Sequence, residues 1–178
     1  MSLALMLTIA VLGVQAPDWS DNVAGLSFTR VRSTERYMIG LIREGYDRSA
    51  TFRELVDLLQ RTNVIVSIQP LPCAGGRIRS CLVGVKGSSQ ERHIWIKVDP
   101  QHTIRDRLIA TIAHELQHAV EIAEHRDVMD AASVVKLYRT IAVGQCGRGL
   151  SEECETTRAL AAEKNVLAEL WERRDRNE

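Results

Sequence analysis

Apolar positions recur every three to four residues in two early stretches, residues 33–46 and 49–61. Met38, Leu41 and Ile42 in the first, and Leu55, Leu58 and Leu59 in the second, fall at helical spacing, so each stretch predicts an amphipathic helix. The period then changes. Residues 63–69 are rich in β-branched side chains and stop at Pro70 and Pro72, as a strand does. Residues 78–86 and 93–99 predict two more strands, separated by the turn signal Gly87-Ser88-Ser89. In the second of these, Ile94, Ile96 and Val98 alternate with His93, Trp95 and Lys97, the period of a sheet with one buried face. From Thr103 the helical period returns. Thr103 and Asp106 have the spacing of a capping box with a shortened acid, and the helix they open runs to about residue 124. A further helix is predicted over 131–143, ended by Gly144, Gly147 and Gly149, and a last one over 151–173. Helices, three strands, then three helices make an α+β order: a small, about three-stranded sheet, antiparallel or mixed, packed on the 103–124 helix.

The N-terminus departs from this patterning. Residues 3–14 are nearly all apolar and lead into Val14-Gln15-Ala16. That is the length of a signal-peptide core and too short to cross a bilayer. Residues 1–16 are therefore expected to be a signal peptide and 17–178 one domain, exported to the periplasm or beyond, with no stable membrane insertion after removal. Against this, no Lys or Arg precedes the apolar run and Pro17 follows the small residues; a buried N-terminal helix is the alternative. The cysteines fall into two equally spaced pairs, Cys73 with Cys81 and Cys146 with Cys154. In an exported chain these read as disulfides, each worth on the order of 2–3 kcal/mol. In the cytosol they would be thiols. Neither pair has the close spacing of a four-cysteine zinc site.

Composition narrows the partners. Of 178 residues, 45% are hydrophobic, enough for a real core. Lys plus Arg equal Asp plus Glu at 23 each, and aromatics make up 4%. A neutral, aromatic-poor chain has neither the electrostatic footprint nor the stacking surface of a nucleic-acid binder.

The chemistry lies on the 103–124 helix. Ile109, Ile112, Leu116, Val120 and Ala123 fall on one arc of a helical wheel, and His114, His118, Glu121 and His125 on the opposite arc. Histidines at i and i+4 sit one turn apart and can share one Zn²⁺. Glu115, next round the helix, would reach a water on the metal and not the metal, the placement of a general base. The bland alternative is a solvated helix face carrying two His and several Glu.

The stretch Thr111-Ile112-Ala113-His114-Glu115-Leu116-Gln117-His118-Ala119-Val120 resembles the extended motif of the zincin metallopeptidases, with uncharged residues between and around the ligands. The resemblance implies a zincin-like fold, Zn²⁺ held by His114, His118 and a third protein ligand, and a peptide or protein substrate. The metzincin subgroup would need Gly and His where Glu121 and Glu124 stand, so it is disfavoured. The gluzincin subgroup takes its third ligand from a Glu on a later helix. On the 151–173 helix, Glu155 lines up with the inward stripe of Ala159, Ala162, Val166 and Leu170, where a carboxylate is costly unless paired or metal-bound. Glu152, one turn earlier, is the fallback. The stretch from Glu155 to Ala159 is also similar to small uncharacterised bacterial proteins carrying HELQHA-type motifs, in which the Glu of the Glu-Thr pair matches Glu155.

The resemblance leaves several roles open. Tyr138 is a candidate to steady the oxyanion, or a core tyrosine. Glu121 and His125 are candidates to orient an imidazole, or ordinary surface residues. Residues 93–99 are a candidate for the edge strand that pairs with extended substrate. A Cys146–Cys154 bridge would pin the start of the helix bearing Glu155. His93 and His102 carry no motif. Expected chemistry is hydrolysis of a peptide bond with Glu115 as proton carrier. The rivals are a zinc-stabilised binding module or degenerate peptidase, and a peptide-deformylase-like amidase taking Cys73 as third ligand.

Overall fold

A computed structural model describes residues 28–73, 79–101, 103–144 and 154–175. The expected signal peptide, Cys146, Glu152, His102, Gly147 and Gly149 lie outside the described residues.

Among the described residues the architecture is α+β, with five helices and a four-stranded mixed sheet. Helix α1 (Arg36–Arg48) and helix α2 (Ala50–Gln60) meet at Ser49, whose hydroxyl accepts from the Phe52 N–H at 3.0 Å and so starts α2. Their buried faces are Met38, Leu41, Ile42 and Gly45, then Phe52, Leu55, Val56 and Leu59. Leu58, expected on the inward face, is exposed; Val56 takes that place. Gly45 lets α1 cross closely: a Cβ there would come within 2.7 Å of Phe52 and 2.8 Å of Ile109.

The strands are β1 (Val31–Arg32), β2 (Val64–Gln69), β3 (Ser80–Gly87) and β4 (Arg92–Val98), in the order β1-β2-β4-β3. β1 and β4 both run parallel to β2, and β3 runs antiparallel to β4. Two residues are too few for a period to show, so β1 escaped the pattern. The topology corrects one expectation. β4 is an inner strand paired on both sides, and among the described residues the edge strands are β1 and β3. The pairing of β3 slips at Val83, between Leu82 and Gly84, as at a β-bulge. β3 is fastened at its start by a disulfide from Cys81 to Cys73.

Helix α3 (Arg105–Glu124) runs through the middle of the molecule. It packs on α1, α2 and the sheet with its apolar arc and on α5 (Thr157–Asp175) with the other. Every residue from Leu108 to Ile122 is therefore buried, the histidine face included, and the solvated-face alternative does not hold. α4 (Ala131–Ile141) is closed by a capping box between Asp130 and Ser133. α5 begins six residues later than the spacing predicts. Its buried stripe is Ala159, Ala162, Val166 and Leu170, as expected, but Glu155 precedes the helix. Among the described residues, no helix is long and apolar enough to cross a membrane.

Candidate metal centre

One turn of α3 brings two imidazoles together. His114 and His118 are each 7% exposed, and their Nε2 atoms face each other at 3.1 Å. Glu155 closes the group: its Oε2 lies 3.1 Å from His114 Nε2, and one ligand atom from each of the three residues lies within 4.8 Å of the others. A tetrahedral ion with bonds of ~2.0–2.1 Å sets neighbouring ligand atoms about 3.3 Å apart, so the two nitrogens already stand near that spacing.

Glu155 reaches this place from the non-helical segment before α5, not from the helical stripe foreseen for it, and its side chain is 43% exposed. Three neighbouring features fix that segment. The Glu155 carbonyl accepts from Val143 N–H at 2.7 Å. Cys154 is disulfide-bonded. Thr156 caps α5, its Oγ1 accepting from Ala159 N–H at 3.0 Å.

The back of the site is as ordered as the front. Glu121 is 3% exposed and its Oε2 meets His118 Nδ1 at 3.0 Å, while its Oε1 accepts from the Thr156 hydroxyl at 2.6 Å. One carboxylate thus ties a histidine on α3 to the residue beside Glu155. Glu163, on α5, places its Oε2 3.4 Å from His114 Nδ1. That is ion-pair reach without hydrogen-bond alignment, so His114 Nδ1 is left without a hydrogen-bond partner. Glu115 is 4% exposed, and its Oε2 is likewise buried and unpartnered. Buried polar atoms are nearly always satisfied, so unpartnered carboxylate oxygens on Glu115 and Glu155 beside two histidines are the pattern of a site made for a cation and its water.

Electrostatics agree. Burial works against a charged imidazole at His114, yet the Glu155 and Glu163 carboxylates outweigh it and raise its pKa to about 10. Both carboxyls are held below their ordinary value chiefly by His114. The acids therefore call for positive charge at the imidazoles, and a divalent cation supplies more of it than a proton. These residues fit a metal ion; two nitrogens and a carboxylate suit zinc among others.

In front of Glu115 and His114 lies a cavity of about 180 Å³, lined also by Thr111, Glu155, Glu163 and, from the start of β3, Arg79 and Ser80. Tyr138 is buried, edge-on to the His118 ring, and donates to the His118 carbonyl at 3.3 Å. Burial, with the charges of Glu121 and Glu115, pushes its pKa well up. His125 is exposed at the C-cap of α3. His93, on β4, is half-buried beside Glu91. Cys73 is committed to its disulfide and offers no thiolate, which removes the deformylase-like ligand set.

Glu163 and Thr156 were missed from sequence. Glu163 carried a signal: it lies four residues after Ala159 and three before Val166, a carboxylate on the apolar stripe of α5. Thr156 carried none, because its role depends on where the helix starts. No protein-family model, no curated protein and no solved structure matches the chain.

Proposed function

We propose that the chain is a zinc-dependent peptidase of zincin-like, gluzincin-like design. The observation that carries the reading is the convergence of His114, His118 and Glu155 within 4.8 Å, beside a buried Glu115 oxygen that has no partner. His114, His118 and Glu155 would hold the ion. When bound, zinc supplies Lewis acidity toward a carbonyl and lowers the pKa of a water to about 7. Glu115 takes the proton of the attacking water at its free Oε2 and passes it to the leaving amine. Its burial limits the access of bulk water to that oxygen. The outer edge of β3, unpaired among the described residues and with its first residue Ser80 lining the cavity, offers an extended substrate a strand to pair with. The Cys73–Cys81 disulfide and the disulfide-bonded Cys154 support the expectation of export to an oxidising compartment.

The test is peptide-library cleavage by zinc-loaded protein, with Glu115→Gln alongside. Cleavage by the wild type, and at least a thousandfold less by a Glu115→Gln variant of equal zinc content, is the expected outcome. Equal cleavage by both removes Glu115 from the mechanism. Zinc retained with no cleavage by either replaces the peptidase reading with a zinc-stabilised binding module.

A further inference from the structure

Each histidine of the cluster has two ring nitrogens, and only one can face an ion. What faces the other nitrogen decides which tautomer is present and how rigidly the ring is aimed. For His118 the matter is closed: Glu121 Oε2 accepts at Nδ1 from a fully buried position, and Thr156 holds Glu121 in turn. Among the described residues, the carboxylate that stands at His114 Nδ1 is Glu163, at 3.4 Å. Its surroundings differ from those of Glu121. Its side chain is 41% exposed, it comes from α5 rather than from α3 itself, and it lines the cavity.

We propose that Glu163 is the positioning carboxylate of His114, accepting from Nδ1–H so that Nε2 is presented to the metal, as Glu121 does for His118. The inference rests on the metal reading above and extends it to a residue outside the ligand set. One further observation supports the assignment. His114 Nδ1 is buried and without a hydrogen bond, a state that calls for a partner, and the Glu163 carboxylate is beside it. Once Nε2 is committed to an ion, Nδ1 must carry the proton, and a shift of a few tenths of an ångström brings Glu163 into hydrogen-bond range. The two histidines are thus held differently. Glu121 is a fixed brace, and Glu163 is a brace that tightens on loading and that ties α5 to the metal.

The experiment is zinc titration of the wild type, Glu163→Ala and Glu163→Gln against a competing chelator. Glu54→Gln, an exposed carboxylate on α2, is the charge control. Outer carboxylates of this kind are worth about 10- to 100-fold in metal affinity. Glu163→Ala should bind zinc within that range more weakly. Glu163→Gln, which keeps an acceptor, should fall at the lower end, and Glu54→Gln should match the wild type. The melting temperature of each metal-free protein is measured alongside, so that a loss of zinc affinity is read apart from any loss of stability on breaking the His114–Glu163 ion pair. Cobalt(II) reports coordination: the variants should keep the wild-type visible bands and need more cobalt to reach them. Unchanged zinc affinity in Glu163→Ala overturns the proposal. So does a changed band pattern, which would make Glu163 a direct ligand. A wild type that binds no zinc overturns the metal reading itself and this inference with it.

Discussion

At the scale of single residues, the site divides by what fixes each side chain. His114, Glu115, His118 and Glu121 are set by helical spacing alone. They were legible in the sequence because 3.6 residues per turn leaves no other arrangement. Glu155 was legible as a partner but for the wrong reason: it stands before α5 and outside any helix, so its aim comes from Val143, Cys154 and Thr156 and not from a helical stripe. Thr156 is the residue on which two functions meet, since its hydroxyl both caps α5 and steadies Glu121. Thr156→Val keeps the shape and removes the oxygen. It should cost about 1–2 kcal/mol in thermal denaturation, the usual worth of an N-cap, and about tenfold in zinc affinity through the loosened Glu121. Thr156→Ser should restore both. A valine variant with wild-type affinity would show that Glu121 needs no help to hold His118.

At the scale of elements, the question is what ends α3. Its last turn has no basic residue, and its final carbonyls point into protein. The cation that meets them comes from β4. Arg92, 1% exposed, donates to the carbonyls of Ile122, Ala123, His125 and Val128 at 2.9, 3.1, 2.8 and 3.2 Å, and to the Asn63 side chain. Burial and the neighbouring charge of Arg126 draw its pKa down, so the site is held by hydrogen bonds to the helix end and not by an acid partner. Arg92→Met would leave these carbonyls buried and unpaired. Destabilisation of about 3 kcal/mol is expected in urea denaturation, with Arg92→Lys intermediate, because one ammonium cannot span the same acceptors. A methionine variant within about 0.5 kcal/mol of wild type would show that water reaches those groups. This brace was not legible, because its acceptors are backbone atoms of another element. The same limit applies to strand order. Period and turn signals placed three of the four strands, but that β4 lies inside and β3 at the edge depends on parallel pairing across a long connection, which local patterning does not encode.

At the scale of the whole molecule, α5 is the element that joins site and fold. Its first turn adjoins Glu155, its middle carries Glu163, and its last third is moored to the junction of α1 and α2. There Glu169 accepts from the Ser49 hydroxyl at 2.6 Å, the Thr51 hydroxyl at 2.6 Å and the Thr51 N–H at 3.1 Å. Arg48 donates to the Leu170 carbonyl at 3.0 Å and pairs with the buried Asp106 of α3 at 3.2 Å. Burial pushes the Glu169 carboxyl up, but the donors of Ser49 and Thr51 hold it below its ordinary value. A carboxyl whose folded pKa is depressed binds its proton more weakly than in the unfolded chain. Its contribution is therefore complete above the unfolded value, about 4.3, and drains away as pH falls through the lower folded value. Glu169→Gln should then be less stable than wild type by about 1–2 kcal/mol at neutral pH, with the gap narrowing only below about pH 4. Denaturation midpoints of both proteins from pH 7 to pH 3 measure this directly. A gap that stays constant through the acid range would mean that Glu169 acts by shape and not by charge. A gap that widens with acid would reverse the sign and place the mooring of α5 on its other tie, Arg48.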